Sequence, residues 1–111
     1  MRATLQIIRD YLGTLAPDQI CGKTHDGRVC LVHRAMERLH PGVNFYVTIN
    51  DIQVEDGDTF MTVKHEPEIA EIVVGFDKTF SRSEYSFDDV TRAQVEEAFP
   101  QLRQQEGMDR E

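Results

Sequence analysis

Four residues that could bind a metal ion or act as nucleophiles lie within the stretch CGKTHDGRVCLVH. They are Cys21, His25, Cys30 and His33. Thiolate sulfur and imidazole nitrogen, in sets of four, are the ligands of structural zinc sites. The spacing Cys-x3-His-x4-Cys-x2-His therefore gives one hypothesis, a zinc-stabilised module of the Cys2His2 kind. We expect no other cofactor.

Two further interpretations of the same stretch stay open. In the first, Cys30 is a small buried residue of the core and the histidines lie at the surface. This interpretation needs no metal, because a chain of 111 residues can bury enough surface to fold unaided. In the second, the protein is a small enzyme that uses Cys and His. Cys21, in a loop before a helix, is then the better thiolate candidate.

Charge is distributed unevenly along the chain. The net charge is −8. Residues 1–42 hold six Lys/Arg and four Asp/Glu, a charge of +2, whereas residues 43–111 hold six and sixteen, a charge of −10. Such a negative field repels nucleic acid and attracts basic partners. We therefore expect no direct nucleic-acid binding.

The carboxylates of the acidic part are predicted to line one rim of the sheet and together to bind a partner, although each one alone is also explained as part of a solvated face. They are Asp51, Glu55, Asp56, Asp58, Glu66, Glu68, Glu71, Glu84, Asp88 and Asp89. A surface of this kind can imitate a phosphate backbone or clasp a basic protein. The sequence has no glycine-rich phosphate loop, Gly-x-Ser-x-Gly elbow or His-Glu-x-x-His helix.

These observations predict a small acidic, non-enzymatic inhibitor or adaptor. Its partner would be a basic or nucleic-acid-binding protein. Phages and mobile elements encode proteins of this kind. The zinc module and the small enzyme remain the alternatives, and the oligomeric state is left open.

Hydrophobic periodicity predicts the elements that position these residues. A helical period favours one helix over residues 3–15 and a second over residues 28–40. Alternation then predicts a strand over residues 43–49. The phase of the alternation changes at Asn50-Asp51, which indicates a bulge or bend. Asp56-Gly57 predicts a hairpin and a return strand ending before Pro67.

The C-terminal part is predicted to continue the sheet and close with a helix. Ile72, Val74 and Phe76 alternate like a third strand, and residues 79–87 are predicted as a fourth strand or a loop. Thr91 and Gln94 have the spacing of a capping box, which predicts a helix start.

The predicted order is α-α-β-β-β-(β)-α. It indicates an α+β two-layer sandwich, in which about three helices pack on one face of an antiparallel sheet of three or four strands. Residues 1–105 are predicted as one globular domain and residues 106–111 as a frayed tail. Neither a membrane-spanning apolar run nor a signal peptide is present, so we expect a cytoplasmic protein that does not contact membranes.

Overall fold

The computed structural model describes residues 2–104. The predicted tail, residues 106–111, therefore lies outside the described residues. The elements are, in chain order, α1 (Leu5–Leu12), β1 (Ile20–Lys23), α2 (Leu31–Leu39), β2 (Asn44–Val47), β3 (Asp51–Asp56), β4 (Thr59–Lys64), α3 (Pro67–Phe80), β5 (Asp89–Thr91), α4 (Arg92–Ala98) and a 3₁₀ turn (Pro100–Leu102).

The first two helices lie where the hydrophobic period predicts them, but both are shorter. Helix α1 begins after Thr4, whose hydroxyl oxygen accepts a hydrogen bond from the Ile7 N–H. Helix α2 begins at Leu31, so Cys30 is its N-cap residue and lies outside the helix.

Strands β2, β3 and β4 form an antiparallel sheet in that order. The predicted bend at Asn50-Asp51 is a full reversal of the chain, since Asp51 begins β3, which pairs back onto β2. The Asp56-Gly57 hairpin is confirmed, and Gly57 has a φ of 63°, a conformation that glycine adopts without steric cost.

The predicted strand at Ile72, Val74 and Phe76 is wrong, because these residues lie in the 14-residue helix α3. The segment also carries a helical period, and the buried residues follow it: Ile69, Ile72, Val73 and Phe76. Val74 is 45% exposed, as its place on the opposite side of a helix requires. Pro67 opens this helix, where its missing N–H costs no hydrogen bond.

The predicted fourth strand over residues 79–87 is also absent from the described chain. Thr79 and Phe80 finish α3, and residues 81–88 form the loop that follows it. A second, two-stranded sheet instead pairs β1 with β5. Its strands have four and three residues, too few for an alternation pattern to reveal.

The C-terminal helix begins as predicted. The Thr91 side chain accepts from the Gln94 N–H and the Gln94 side chain accepts from the Thr91 N–H, so the capping box is complete. Helix α4 ends at Ala98, and Pro100 begins the 3₁₀ turn.

The α+β class and the approximate order of elements are confirmed. Phe45, Val47, Ile52 and Val54 occupy the face of the three-stranded sheet that joins the helices in one buried apolar cluster. Within residues 2–104, no helix is both long and apolar enough to cross a membrane.

Candidate functional site

Strand β4 forms an open edge of the three-stranded sheet. Two backbone hydrogen bonds fix which residues of the sheet bond to which neighbouring strand. The His65 N–H donates to the Asn50 carbonyl, at the end of the β3–β4 ladder, and the Thr48 N–H donates to the Asp51 carbonyl, at the end of the β2–β3 ladder. In an antiparallel ladder only alternate residues of a strand bond to a given neighbour. The ladder therefore uses the backbone groups of Met61 and Val63 and turns those of Phe60, Thr62 and Lys64 outward.

The opposite edge of this sheet is partly covered. On β2, the Val47 N–H donates to the Gly27 carbonyl at 2.9 Å. The loop that contains Gly27 thus lies against β2, and a Cβ atom on Gly27 would collide with the Val47 carbonyl oxygen. No comparable bond from residues 2–104 covers β4. The two edges therefore differ, and β4 is the accessible one.

Apolar side chains accompany the open edge. Phe60 is 65% exposed and Met61 is 44% exposed. They point to opposite faces of the strand, because side chains alternate along it. Edge strands of soluble proteins are usually shielded by charge, yet Lys64 is the only charged residue of β4.

The acidic residues predicted to bind a partner fall into three groups. The first lies at the tip of the β3–β4 hairpin, where Glu55, Asp56 and Asp58 are all exposed. The Glu55 carboxylate accepts a hydrogen bond from the Asn44 side chain. Asp51 belongs to the other end of β3, where it is half-buried and accepts from the Thr48 hydroxyl at 2.8 Å.

The second group lies at the other end of β4. Glu66, Glu68 and Glu71 occupy the N-cap and first two turns of α3, all exposed. Glu66 forms a 2.9 Å ion pair with Arg2. Glu68 is in the first turn, where the helix dipole favours a carboxylate. Both ends of β4 therefore lie next to carboxylates.

The third group, Glu84, Asp88 and Asp89, lies beyond the C-terminal end of α3. That helix is about 21 Å long, so this group is not continuous with the one at its start. Asp88 is turned inward and accepts hydrogen bonds from Ser86 and Arg82, and Asp89 pairs with Lys23 at 3.3 Å. The single acidic rim expected from the sequence is thus divided.

The four zinc-ligand candidates occupy different environments. Cys21 and Cys30 are buried free thiols, His33 is 7% exposed on α2, and His25 is exposed in the loop between β1 and α2. Within residues 2–104, no group of three or more His, Cys, Asp or Glu side chains is arranged to hold a metal ion. Zinc binding therefore stays a prediction.

Burial shifts the pKa values of Cys21, Cys30 and His33. It raises the pKa of Cys21 to about 12 and that of Cys30 to about 11, since the thiolate form is poorly solvated. Cys21 lies in β1 and not in a loop before a helix, and its burial disfavours the thiolate form that the enzyme hypothesis needs. Burial also lowers the pKa of His33, which favours its neutral form.

The structure brings His25 close to Asp77 and Ser81, two residues that the sequence did not single out. His25 has a φ of 57°, and its N–H donates to Asp77 Oδ1 at 2.8 Å. Its Nε2 lies 3.2 Å from Ser81 Oγ, and its Nδ1 lies 3.8 Å from Asp77 Oδ2. The contacts join positions more than fifty residues apart, which leaves no local signal in the sequence.

The contacts among His25, Asp77 and Ser81 are better explained as a structural link between a loop and α3 than as a hydrolytic triad. The Ser81 hydroxyl donates to the Asp77 carbonyl at 2.6 Å, so its proton is directed away from His25. Ser81 also caps the C-terminus of α3, where the helix dipole is negative and opposes a developing oxyanion. The contacts hold the loop between β1 and α2 against α3.

No family model, curated protein or solved structure matches this chain.

Proposed function

We propose that the protein is a non-enzymatic inhibitor or adaptor that binds an extended basic segment of a partner protein along the open edge of β4. The observation that carries the proposal is that, within residues 2–104, no strand pairs with the outer edge of β4, and that carboxylates lie at both of its ends. Partners that bind by adding a strand gain main-chain hydrogen bonds along such an edge.

The side chains around β4 favour a segment with a particular pattern. Its middle would be apolar or β-branched, to pack on Phe60 and Met61. Both of its ends would be basic. One end would lie beside the carboxylates of the hairpin tip, and the other would lie beside Glu66 and Glu68. The net charge of −8 would speed the encounter with such a partner and disfavour nucleic acid.

A peptide with this pattern tests the proposal directly. The probe has alternating Val and Thr in its middle and two lysines at each end, and its binding is followed by calorimetry. Thr62→Pro removes an outward N–H without removing a ladder hydrogen bond, and we expect at least a tenfold loss of affinity, since each 1.4 kcal/mol is tenfold. The matched control, Thr62→Val, keeps the N–H and should bind like the wild type.

Charge supplies the second test. Reversing Glu55, Asp56 and Asp58 to lysine should weaken peptide binding, and the wild-type affinity should fall as salt screens the surface charges. The control reverses Glu97, an exposed carboxylate of α4, and should change affinity little. Binding that is insensitive to both salt and hairpin charge would contradict the proposal.

A second copy of the chain could also occupy the edge. Sedimentation of the wild type and of Thr62→Pro distinguishes this case. We expect both to be monomeric at concentrations where the peptide binds. A wild-type dimer that Thr62→Pro dissociates would reject a partner segment as the occupant of β4.

A further inference from the structure

A cavity of about 160 Å³ opens between the loop at residues 25–27, the end of β2 and helix α3. Its inner wall is apolar and comes from buried side chains of two helices. These include Leu31, Val32, Ile72, Val73 and Phe76. A cavity of about 150 Å³ with such a lining is large enough to hold a benzene molecule.

The rim of the cavity has a different character from its wall. It carries His25, Asp26, Tyr46 and Asp77, all of which are at least partly exposed. Two carboxylates therefore lie at the mouth of an apolar hollow. A ligand that enters would place its apolar part inside and its polar part at the rim.

Each rim carboxylate has one oxygen that accepts from a backbone N–H, and within residues 2–104 its second oxygen accepts no hydrogen bond. Asp26 Oδ1 accepts from the Arg28 N–H at 3.0 Å, and Asp77 Oδ1 accepts from the His25 N–H at 2.8 Å. Asp77 Oδ2 lies 3.8 Å from His25 Nδ1, which is beyond hydrogen-bond distance. These bonds hold both carboxylates at the rim through one oxygen each.

Tyr46, at the same rim, already contacts a cation of the chain. The Arg28 guanidinium lies over its ring, 5.8 Å from the ring centroid. The face of a tyrosine ring attracts cations through its negative quadrupole. An aromatic ring and two carboxylates thus share the rim.

We propose that this cavity binds a small organic cation, an ammonium group carried on an apolar body about the size of a benzene ring. The apolar body fills the hollow between α2 and α3, and the ammonium donates to the second oxygens of Asp26 and Asp77. An anion of the same shape would meet two carboxylates, and a neutral molecule would leave them without a counter-charge. No lining residue of the cavity belongs to β4, so this site is separate from the proposed partner site.

Three ligands of one shape and different charge test the proposal. Benzylamine, benzyl alcohol and benzoate are titrated separately into the full chain, and binding is followed by backbone amide NMR. We expect saturable shifts for benzylamine at residues 25–27, 46–49 and 72–77, at least tenfold weaker binding of benzyl alcohol and none of benzoate. Equal affinities, preference for benzoate, shifts elsewhere or no saturation by benzylamine up to about 10 mM, a weak-binding limit, would overturn it.

Two variants test separately how much the rim carboxylate and the apolar cavity contribute to ligand affinity. Asp77→Asn keeps an oxygen that can accept from the His25 N–H, and it should reduce benzylamine affinity towards that of benzyl alcohol, since only the Asp26 charge remains. Val73→Phe should fill the hollow and abolish binding of both. Glu97→Gln, a carboxylate of α4 outside the cavity, is the matched control. If Asp77→Asn does not fold, Asp26→Asn gives the same test, and unchanged benzylamine affinity in the folded variant would overturn the proposal.

Discussion

At the scale of single residues, Asp88 organises the loop that follows α3. Its carboxylate accepts from the Ser86 hydroxyl and from both the backbone and side-chain N–H groups of Arg82. Its own N–H donates at 2.8 Å to the hydroxyl of the fully buried Thr24. A residue predicted to bind a partner therefore connects this loop to the end of β1.

The same hydrogen bonds lower the pKa of Asp88 to about 2 from 3.8, the Ser86 hydroxyl contributing most. A carboxylate whose folded pKa is depressed stabilises the fold above its unfolded pKa and loses that contribution as pH falls through the folded value. Asp88→Asn should therefore lower Tm at pH 7, and its difference from the wild type should shrink between pH 4 and pH 2. Thermal melts across this range, with the exposed Glu84→Gln as control, check the result. A difference that stays constant with pH would contradict it.

The two thiols give a second test at this scale. Because burial raises the pKa of Cys21 to about 12 and that of Cys30 to about 11, few thiolates exist at pH 8. We expect an aromatic disulfide reagent to label neither thiol rapidly in the native protein and both in denaturant. Metal analysis of the same sample tests the zinc hypothesis. If the protein contains stoichiometric zinc, and removing it makes both thiols reactive, the interpretation of two buried, metal-free thiols is contradicted and the zinc hypothesis is supported.

At the scale of elements, the alternation of ladder bonds in β4 makes a prediction about folding. The Met61 N–H bonds to β3, whereas the Thr62 N–H points outward. Proline is tolerated on an edge strand only where its missing N–H faces solvent. Met61→Pro should therefore destabilise the protein by about 1–3 kcal/mol more than Thr62→Pro does. Urea unfolding measures the difference, and equal losses would show that the register of β4 is incorrect.

Elements with local signals could be predicted from the sequence, and elements made by distant contacts could not. The capping box of Thr91 and Gln94 acts within three residues, so the start of α4 was recognised. In α3, Ile72 and Phe76 fit a period of two with Val74 and a period of 3.6 with Ile69 and Val73, so the local pattern does not decide between strand and helix. The pairing of β1 with β5 leaves no pattern in either strand.

The candidate sites follow the same rule. The hairpin of β3 and β4, with its acidic tip, was predicted because Asp56-Gly57 is a strong turn signal. The cavity rim joins His25 and Asp77, which approach each other only when α3 forms. The sequence pattern predicts a strand at residues 72–76, and this prediction does not place Asp77 beside the loop between β1 and α2.

At the scale of the whole molecule, the two ends of the described chain pack against each other. Leu102, in the 3₁₀ turn, is completely buried and belongs to the same apolar cluster as Ala3 and Ile8. The Arg9 side chain donates to the Gln101 carbonyl at 2.8 Å. The cluster thus closes around residues that lie about one hundred positions apart, and both ends of the described chain share one apolar core.

This closure predicts how the chain unfolds. Leu102→Ala removes a buried side chain and leaves a cavity, so it should lower the free energy of unfolding by about 2–5 kcal/mol. Gln101→Ala is the control, because its side chain is exposed and its carbonyl still accepts from Arg9. Within each variant, the urea midpoint measured by circular dichroism should equal the one measured by tyrosine fluorescence, as a single cooperative unit requires. Separate midpoints for the two probes, or a loss below about 1 kcal/mol in Leu102→Ala, would mean that the C-terminal turn is not part of one cooperative core.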